Sequence, residues 1–154
     1  MMFALVLLSL TFGAVSPEKE ITFQLAPRNQ EVKAGESSVA ILTAKLGEGW
    51  HLYSMELPEG GPIATTIAVV EDDSMEPDGP ATQPSPIVWF DPNFQMETNY
   101  FKDRVEFKVP YRVRETAPKG PARLQVEIRY MLCSETVCLP PRTKTLETRV
   151  DVKR

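Results

Sequence analysis

The segment that decides the fold is ARLQVEIRYML, residues 122–132. Its large apolar residues occupy every second position: Leu124, Val126, Ile128, Tyr130 and Leu132. This alternation predicts a β-strand with one buried face, because successive side chains of a strand point to opposite sides of its sheet. The segment from Val105 to Val113 alternates in the same way. We therefore predict two half-buried strands, and their closeness along the chain suggests antiparallel neighbours.

Weaker β signals run through the rest of the chain. They cover Ile21 to Leu25, Gln30 to Lys33, Val39 to Leu46, Trp50 to Ser54, Ile63 to Val70 and Leu146 to Val152. The stretch from Glu71 to Pro86 is rich in Asp, Glu, Pro, Gly and Ser and predicts a solvated loop. About eight short strands without helices between them favour an all-β sandwich or barrel over an α/β fold.

Composition places the chain among ordinary globular domains. It has 154 residues, of which 42% are hydrophobic and 25% charged, so it is long enough to bury the core of one domain. The net charge of -4 and the scattering of Lys and Arg among acids argue against nucleic-acid binding, which needs a basic patch.

The N-terminus predicts export. Residues 1–8 are all apolar, and the small residues Gly13, Ala14 and Ser16 follow. We interpret residues 1–16 as a signal peptide and residues 17–154 as the mature, soluble domain, with no stable membrane insertion after cleavage. An uncleaved anchor is the alternative, because no Lys or Arg precedes the apolar run and Pro17 follows the cleavage signal.

The two cysteines are the main candidates for chemistry. Cys133 and Cys138 are separated by four residues, and a tight turn of that length can bring their Cα atoms within the roughly 4.4–6.8 Å that a disulfide requires. A zinc site would need more ligands than two cysteines and His51 supply. The spacings of covalent haem and of a thioredoxin centre are absent. A cysteine hydrolase with His51 as base has no accompanying nucleophile elbow.

Spacing alone leaves two interpretations of the pair open. It is either a structural staple or a redox-active disulfide. Closing so short a loop stabilises a fold by only about 2 kcal/mol in the chain-entropy model, which is a weak reason for a staple. An exposed bond in a constrained loop is also easier to reduce, as an electron carrier requires.

Four motifs occur together in one order. They are GWHLYS at residues 49–54, VWF at 88–90 leading to Phe94, YFKDR at 100–104, and Cys-x4-Cys-Leu-Pro-Pro at 133–141. Together they resemble the N-terminal periplasmic domain of the thiol:disulfide interchange protein DsbD. The resemblance covers about residues 21–152, and the cysteine-to-proline segment is its most specific part.

The resemblance implies an immunoglobulin-like antiparallel β-sandwich in the periplasm that exchanges electrons through its cysteine pair. It implies that Cys138 forms the mixed disulfide with partners and that Cys133 resolves it. The implied partners are thioredoxin-like periplasmic proteins and a membrane electron donor. No cofactor and no metal are implied. Glu135, inside the loop, would oppose ionisation of the thiols.

The family also carries a cap loop whose aromatic residue covers the cysteines until a partner docks. Phe94 occupies that position, and the alternative is that it only plugs the end of the sandwich. Tyr53 and His51 fall where the family has aromatic residues beside the cysteines, and His51 could exchange protons near neutral pH or simply pack. The family's cap has adjacent carboxylates, whereas here Asp91 alone remains.

Full-length proteins of that family also have a transmembrane region and a thioredoxin-like domain. Neither is recognisable before the sequence ends at Arg154. We therefore expect the electron donor to be another polypeptide, or this chain to be part of a longer protein. The rival interpretation of the whole chain is a non-redox immunoglobulin-like binding or assembly module with a structural hairpin disulfide.

Overall fold

The computed structural model describes residues 20–154, and these form an all-β domain, as predicted. The predicted signal peptide, residues 1–16, lies outside the described residues. The strands are β1 (Ile21–Pro27), β2 (Glu31–Lys33), β3 (Ser37–Leu46), β4 (His51–Tyr53), β5 (Thr66–Val69), β6 (Met75–Pro77), β7 (Ile87–Asp91), β8 (Met96–Phe101), β9 (Arg104–Val113), β10 (Gly120–Tyr130), β11 (Leu132–Cys133) and β12 (Arg142–Lys153).

Two four-stranded sheets enclose the core. Their strand orders are β1-β3-β9-β6 and β2-β12-β10-β5, and every pairing is antiparallel except that of β12 with β2. The period-two alternation of β9 and β10 is confirmed, because alternate side chains from both strands are buried in one apolar cluster. Burial of one face of each sheet against the other is what stabilises this arrangement.

The predicted pairing of the two alternating strands is wrong. β9 pairs with β3 and β6, whereas β10 pairs with β12 and β5 in the other sheet. Strands from opposing sheets each have one buried face, so both show the same alternation. The pattern therefore reports which side chains are buried but not which strand is the neighbour.

The predicted loop from Glu71 to Pro86 is also partly wrong. It contains β6, whose Met75 is completely buried, and Thr82 forms a further bridge to Lys108 of β9. Most side chains in this segment are exposed, which explains its polar composition. Burial of Met75 and backbone pairing with β9 together dock the segment as an edge strand.

A third sheet, β11-β4-β8-β7, lies beside the sandwich. Leu52 and Leu132 are paired across β4 and β11 and are buried in the main core. The ring of Phe101 at the end of β8 packs edge-to-face on Phe107 of β9, with ring centroids 5.8 Å apart. These contacts anchor one side of the third sheet to the core and leave its other side to form the candidate site. Within residues 20–154, no helix is both long and apolar enough to cross a bilayer.

Candidate functional site

The two cysteines form a disulfide within a tight hairpin. The Ser134 amide donates to the Val137 carbonyl at 2.7 Å, and the Leu139 amide donates to the Leu132 carbonyl at 2.8 Å. Cys133 and Cys138 therefore face each other at a non-hydrogen-bonded position, where the backbones of antiparallel strands approach most closely. Their Cα atoms are 4.0 Å apart, slightly closer than the expected range, and their sulfurs are bonded.

The two sulfur-bearing residues differ in exposure. Cys133 is completely buried on β11, whereas Cys138 is partly exposed on the returning strand. Pro140 and Pro141 follow Cys138, and because proline has no amide donor they limit regular strand pairing on that flank. An incoming thiol can therefore approach the pair more readily from the Cys138 side.

Strand register places the other predicted site residues beside this pair. Cys133 lies directly opposite His51, and directly opposed residues share one face of a sheet. Tyr53 is two residues further along β4 and therefore lies on the same face. Tyr53 is paired with Tyr100 of β8, and Trp89 of β7 lies on the same face, diagonal to Tyr100. The ring centroids of His51 and Tyr53 are 5.1 Å apart, and those of His51 and Tyr100 are 5.0 Å apart.

A chain of polar contacts runs across this face. The Tyr53 hydroxyl donates to Asp91 Oδ2 at 2.5 Å. His51 Nε2 lies 3.3 Å from the Tyr53 oxygen and 3.9 Å from Asp91 Oδ2. Asp91 is completely buried, and its other oxygen accepts a hydrogen bond from the Asn93 amide at 2.8 Å. The phenol therefore bridges an imidazole and a buried carboxylate.

Burial shifts the pKa values of Tyr53 and His51 in this cluster. Burial raises the pKa of Tyr53, and the hydrogen bond to Asp91 and the charge of Asp91 raise it further, so the phenol keeps its proton and acts as donor. Burial lowers the pKa of His51, although the charge of Asp91 partly opposes this effect. His51 is therefore a neutral imidazole at neutral pH and is able to accept a proton.

A short loop between β7 and β8, residues 92–95, covers part of this face, and we call it the cap loop. The ring of Phe94 packs edge-to-face on Tyr53, with centroids 6.0 Å apart. The Asn93 side chain donates to the Ser134 carbonyl at 3.0 Å, which connects the cap loop to the disulfide hairpin. The loop closes through the Gln95 amide, which donates to the Asp91 carbonyl at 2.8 Å.

The structure thus brings together all six residues singled out from the sequence: Cys133, Cys138, His51, Tyr53, Asp91 and Phe94. Two further members of the cluster were missed. They are Asn93 and Ser134, neither of which was singled out from the sequence. No sequence signal marks their contact, because it joins a side chain to a backbone carbonyl 41 residues away. Among residues 20–154, no group of three or more His, Cys, Asp or Glu side chains is arranged to hold a metal ion.

By its fold and its site, this is a β-sandwich domain that carries a cysteine pair in a hairpin beside a short loop with an aromatic residue. The comparison with family models gives the family. The model of the N-terminal region of the thiol:disulfide interchange protein DsbD matches residues 16–149, so this chain belongs to that family. Family membership and the disulfide support thiol–disulfide exchange as its general chemistry.

Two solved structures share the fold. The N-terminal domain of DsbD from Neisseria meningitidis, in the reduced form, superposes with a TM-score of 0.57 at 17% identity, over 89% of this chain and 90% of that one. The N-terminal periplasmic domain of ScsB from Proteus mirabilis gives a TM-score of 0.59 at 16% identity, over 90% of this chain and 49% of that one. These likenesses confirm the predicted immunoglobulin-like sandwich. No curated protein sequence matches the chain.

Proposed function

We propose that this chain is an extracytoplasmic thiol–disulfide exchange domain that passes electrons through Cys133 and Cys138. The observation that supports this most directly is the asymmetry of the pair, one cysteine buried and the other partly exposed, at the edge of a sheet and beside a cap loop. We also propose that residues 1–16 direct export to the periplasm and that residues 17–154 form the exchange domain.

The two cysteines take different roles in the proposed exchange. In the reduced domain, the Cys138 thiolate attacks a disulfide of the partner, forms a mixed disulfide and releases one partner thiolate. The Cys133 thiolate then attacks the Cys138 sulfur, which closes the internal disulfide and releases the second partner thiolate. Two electrons pass to the partner, and the same steps in reverse reduce this domain. The greater exposure of Cys138 supports this assignment.

The polar cluster supplies proton transfer in this proposal. A thiol with a pKa near about 8.5 is mostly protonated at neutral pH, so the attacking sulfur has to lose a proton. His51 lies opposite Cys133 in register and is neutral, so it is suited to accept the proton of Cys133, the thiol that attacks in the second step. Tyr53 stays protonated and joins the imidazole to Asp91, whose negative charge stabilises the imidazolium that forms.

The cap loop limits access in this proposal. Phe94 rests on Tyr53, and Asn93 is bonded to the residue directly after Cys133. A protein partner could displace the loop by supplying its own apolar surface, whereas small thiols and oxidants would depend on spontaneous opening. The proposed partners are thioredoxin-like periplasmic proteins and a membrane electron donor.

Trapping of mixed disulfides tests the role assignment. Cys133→Ala should accumulate a mixed disulfide with a thioredoxin-like protein through Cys138, because no second thiol is left to release the partner. Cys138→Ala is the matched control and should accumulate little, since Cys133 is buried. Equal trapping by the two variants would refute the assignment of roles.

A further inference from the structure

Beside the disulfide hairpin is an open cleft of about 360 Å³ with an aromatic floor. The floor is made by His51, Trp89 and Tyr100, which contact one another with ring centroids 5.0 to 6.1 Å apart. Trp50 also lines the cleft. The cap loop is not part of this lining, so the cleft is separate from the surface that Phe94 covers.

The rim of the cleft is acidic. Glu48, Asp103 and Glu135 line it, and all three are exposed. None of the three forms an ion pair with any residue between 20 and 154. Lys102 is the one basic residue among those that line the cleft. The rim therefore carries an excess of negative charge over an aromatic surface.

Aromatic faces and carboxylates attract the same kind of group. The face of an aromatic ring is negative and binds cations, most often the guanidinium of arginine. Carboxylates bind the same planar group through paired hydrogen bonds. His51 does not oppose a cation at neutral pH, because burial lowers its pKa and keeps it uncharged.

We propose that this cleft binds an arginine side chain of the exchange partner, next to the partner's reactive sulfur. Glu135 belongs to the loop between the two cysteines, and His51 is paired with Cys133, so an occupant of the cleft would lie beside the disulfide. That the bound arginine belongs to the exchange partner rests on the proposed exchange function. Binding of a guanidinium group by the cleft does not depend on that function.

Tryptophan fluorescence reports directly on this cleft. The chain has two tryptophans, and both line it. The oxidised protein would be titrated at low salt with acetyl-Gly-Arg-Gly-amide and with the same peptide containing citrulline, which has a similar shape but no charge. We expect the arginine peptide to half-saturate the fluorescence change at a roughly three- to tenfold lower concentration. Equal titrations would overturn the proposal.

A charge-matched pair of variants separates this site from general attraction to an acidic protein. In the triple variant Glu48→Gln, Asp103→Asn and Glu135→Gln the preference for arginine should disappear. Asparagine tolerates the positive φ of 60° at position 103, so the backbone there is retained. The control variant Glu59→Gln, Asp73→Asn and Glu127→Gln changes the net charge equally at exposed positions outside the cleft and should keep the preference. Persistence of the preference in the cleft variant would overturn the proposal.

A kinetic arm tests the role of the cleft in exchange. Reduced peptides that contain one cysteine, with either arginine or citrulline nearby, would open the disulfide by attack on the Cys138 sulfur, which forms a mixed disulfide between the peptide and Cys138 and releases the Cys133 thiolate. We expect the arginine peptide to react at least threefold faster, with the advantage lost in the cleft variant. Equal rates for the two peptides would refute the partner role. Failure of a thioredoxin-like protein to reduce the disulfide, together with a fluorescence preference for arginine, would refute the exchange function and leave the cleft as a guanidinium site.

Discussion

Tyr53→Phe removes one hydrogen bond from a buried carboxylate without changing the packing of the ring. Asp91 is completely buried and accepts two hydrogen bonds, one from the Tyr53 hydroxyl at 2.5 Å and one from the Asn93 amide at 2.8 Å. His51 Nε2, at 3.9 Å, is too distant to replace the lost donor without movement. A hydrogen bond to a charged group contributes about 1.5–3 kcal/mol to stability. We expect the variant to lose about that much free energy of unfolding.

Urea unfolding of the oxidised protein at neutral pH measures this loss, and Tyr111→Phe is the matched control. Tyr111 is as completely buried as Tyr53, but within residues 20–154 its hydroxyl has no carboxylate partner. Its replacement should change the free energy of unfolding by at most about 1 kcal/mol. If Tyr53→Phe is no more destabilising than Tyr111→Phe, the bond between phenol and carboxylate does not stabilise the buried charge as argued.

Two further predictions concern the cap and the histidine. Phe94→Ala and Asn93→Ala should each increase the rate at which dithiothreitol reduces the disulfide severalfold. The rate of reduction by a protein partner should change much less, because only the small thiol depends on spontaneous opening of the cap loop. Unchanged dithiothreitol rates in stopped-flow measurements would argue against a lid. His51 is the single histidine of the chain, and its pKa is lower in the folded state than the ordinary value of 6.5. The unfolded chain binds a proton on His51 more readily than the folded chain does. The free energy of unfolding should therefore show no loss from His51 above pH 6.5, and it should fall as the pH decreases from 6.5 towards the pKa of His51 in the folded state. His51→Gln should flatten this part of the stability profile in urea titrations at several pH values, and an identical slope in wild type and variant would contradict the assignment.

The strands could be predicted where one face of the sheet is buried and the other is solvated. β9 and β10 show clean alternation and were predicted from it. Their partners were not, because alternation does not identify the neighbouring strand. β7 and β8 were not predicted. β7 is a run of four apolar residues and an aspartate, and both of its faces are partly exposed at the sheet edge. In β8 the buried positions Thr98 and Phe101 do not alternate.

The composition of the site came from resemblance and not from physical reasoning on the sequence. His51, Asp91 and Cys133 lie far apart along the chain, and only the order and register of the third sheet bring them onto one face. The cysteine hairpin is the exception, because a separation of five residues restricts the pair to a tight turn. The acidic aromatic cleft was not predicted, since its residues come from three separate motifs and a hairpin loop.

A redox titration of the disulfide distinguishes an exchange domain from a domain with a structural bond. The oxidised protein would be equilibrated with a thioredoxin-like protein over a series of thiol/disulfide ratios, and the fraction of the domain with free thiols would be measured by alkylation and mass spectrometry. We expect a reduction potential above about -300 mV, so that Cys133 and Cys138 are reduced within the range that thioredoxin-like proteins reach. A potential clearly below that value, with the disulfide intact at every ratio, would show a structural bond and contradict the account.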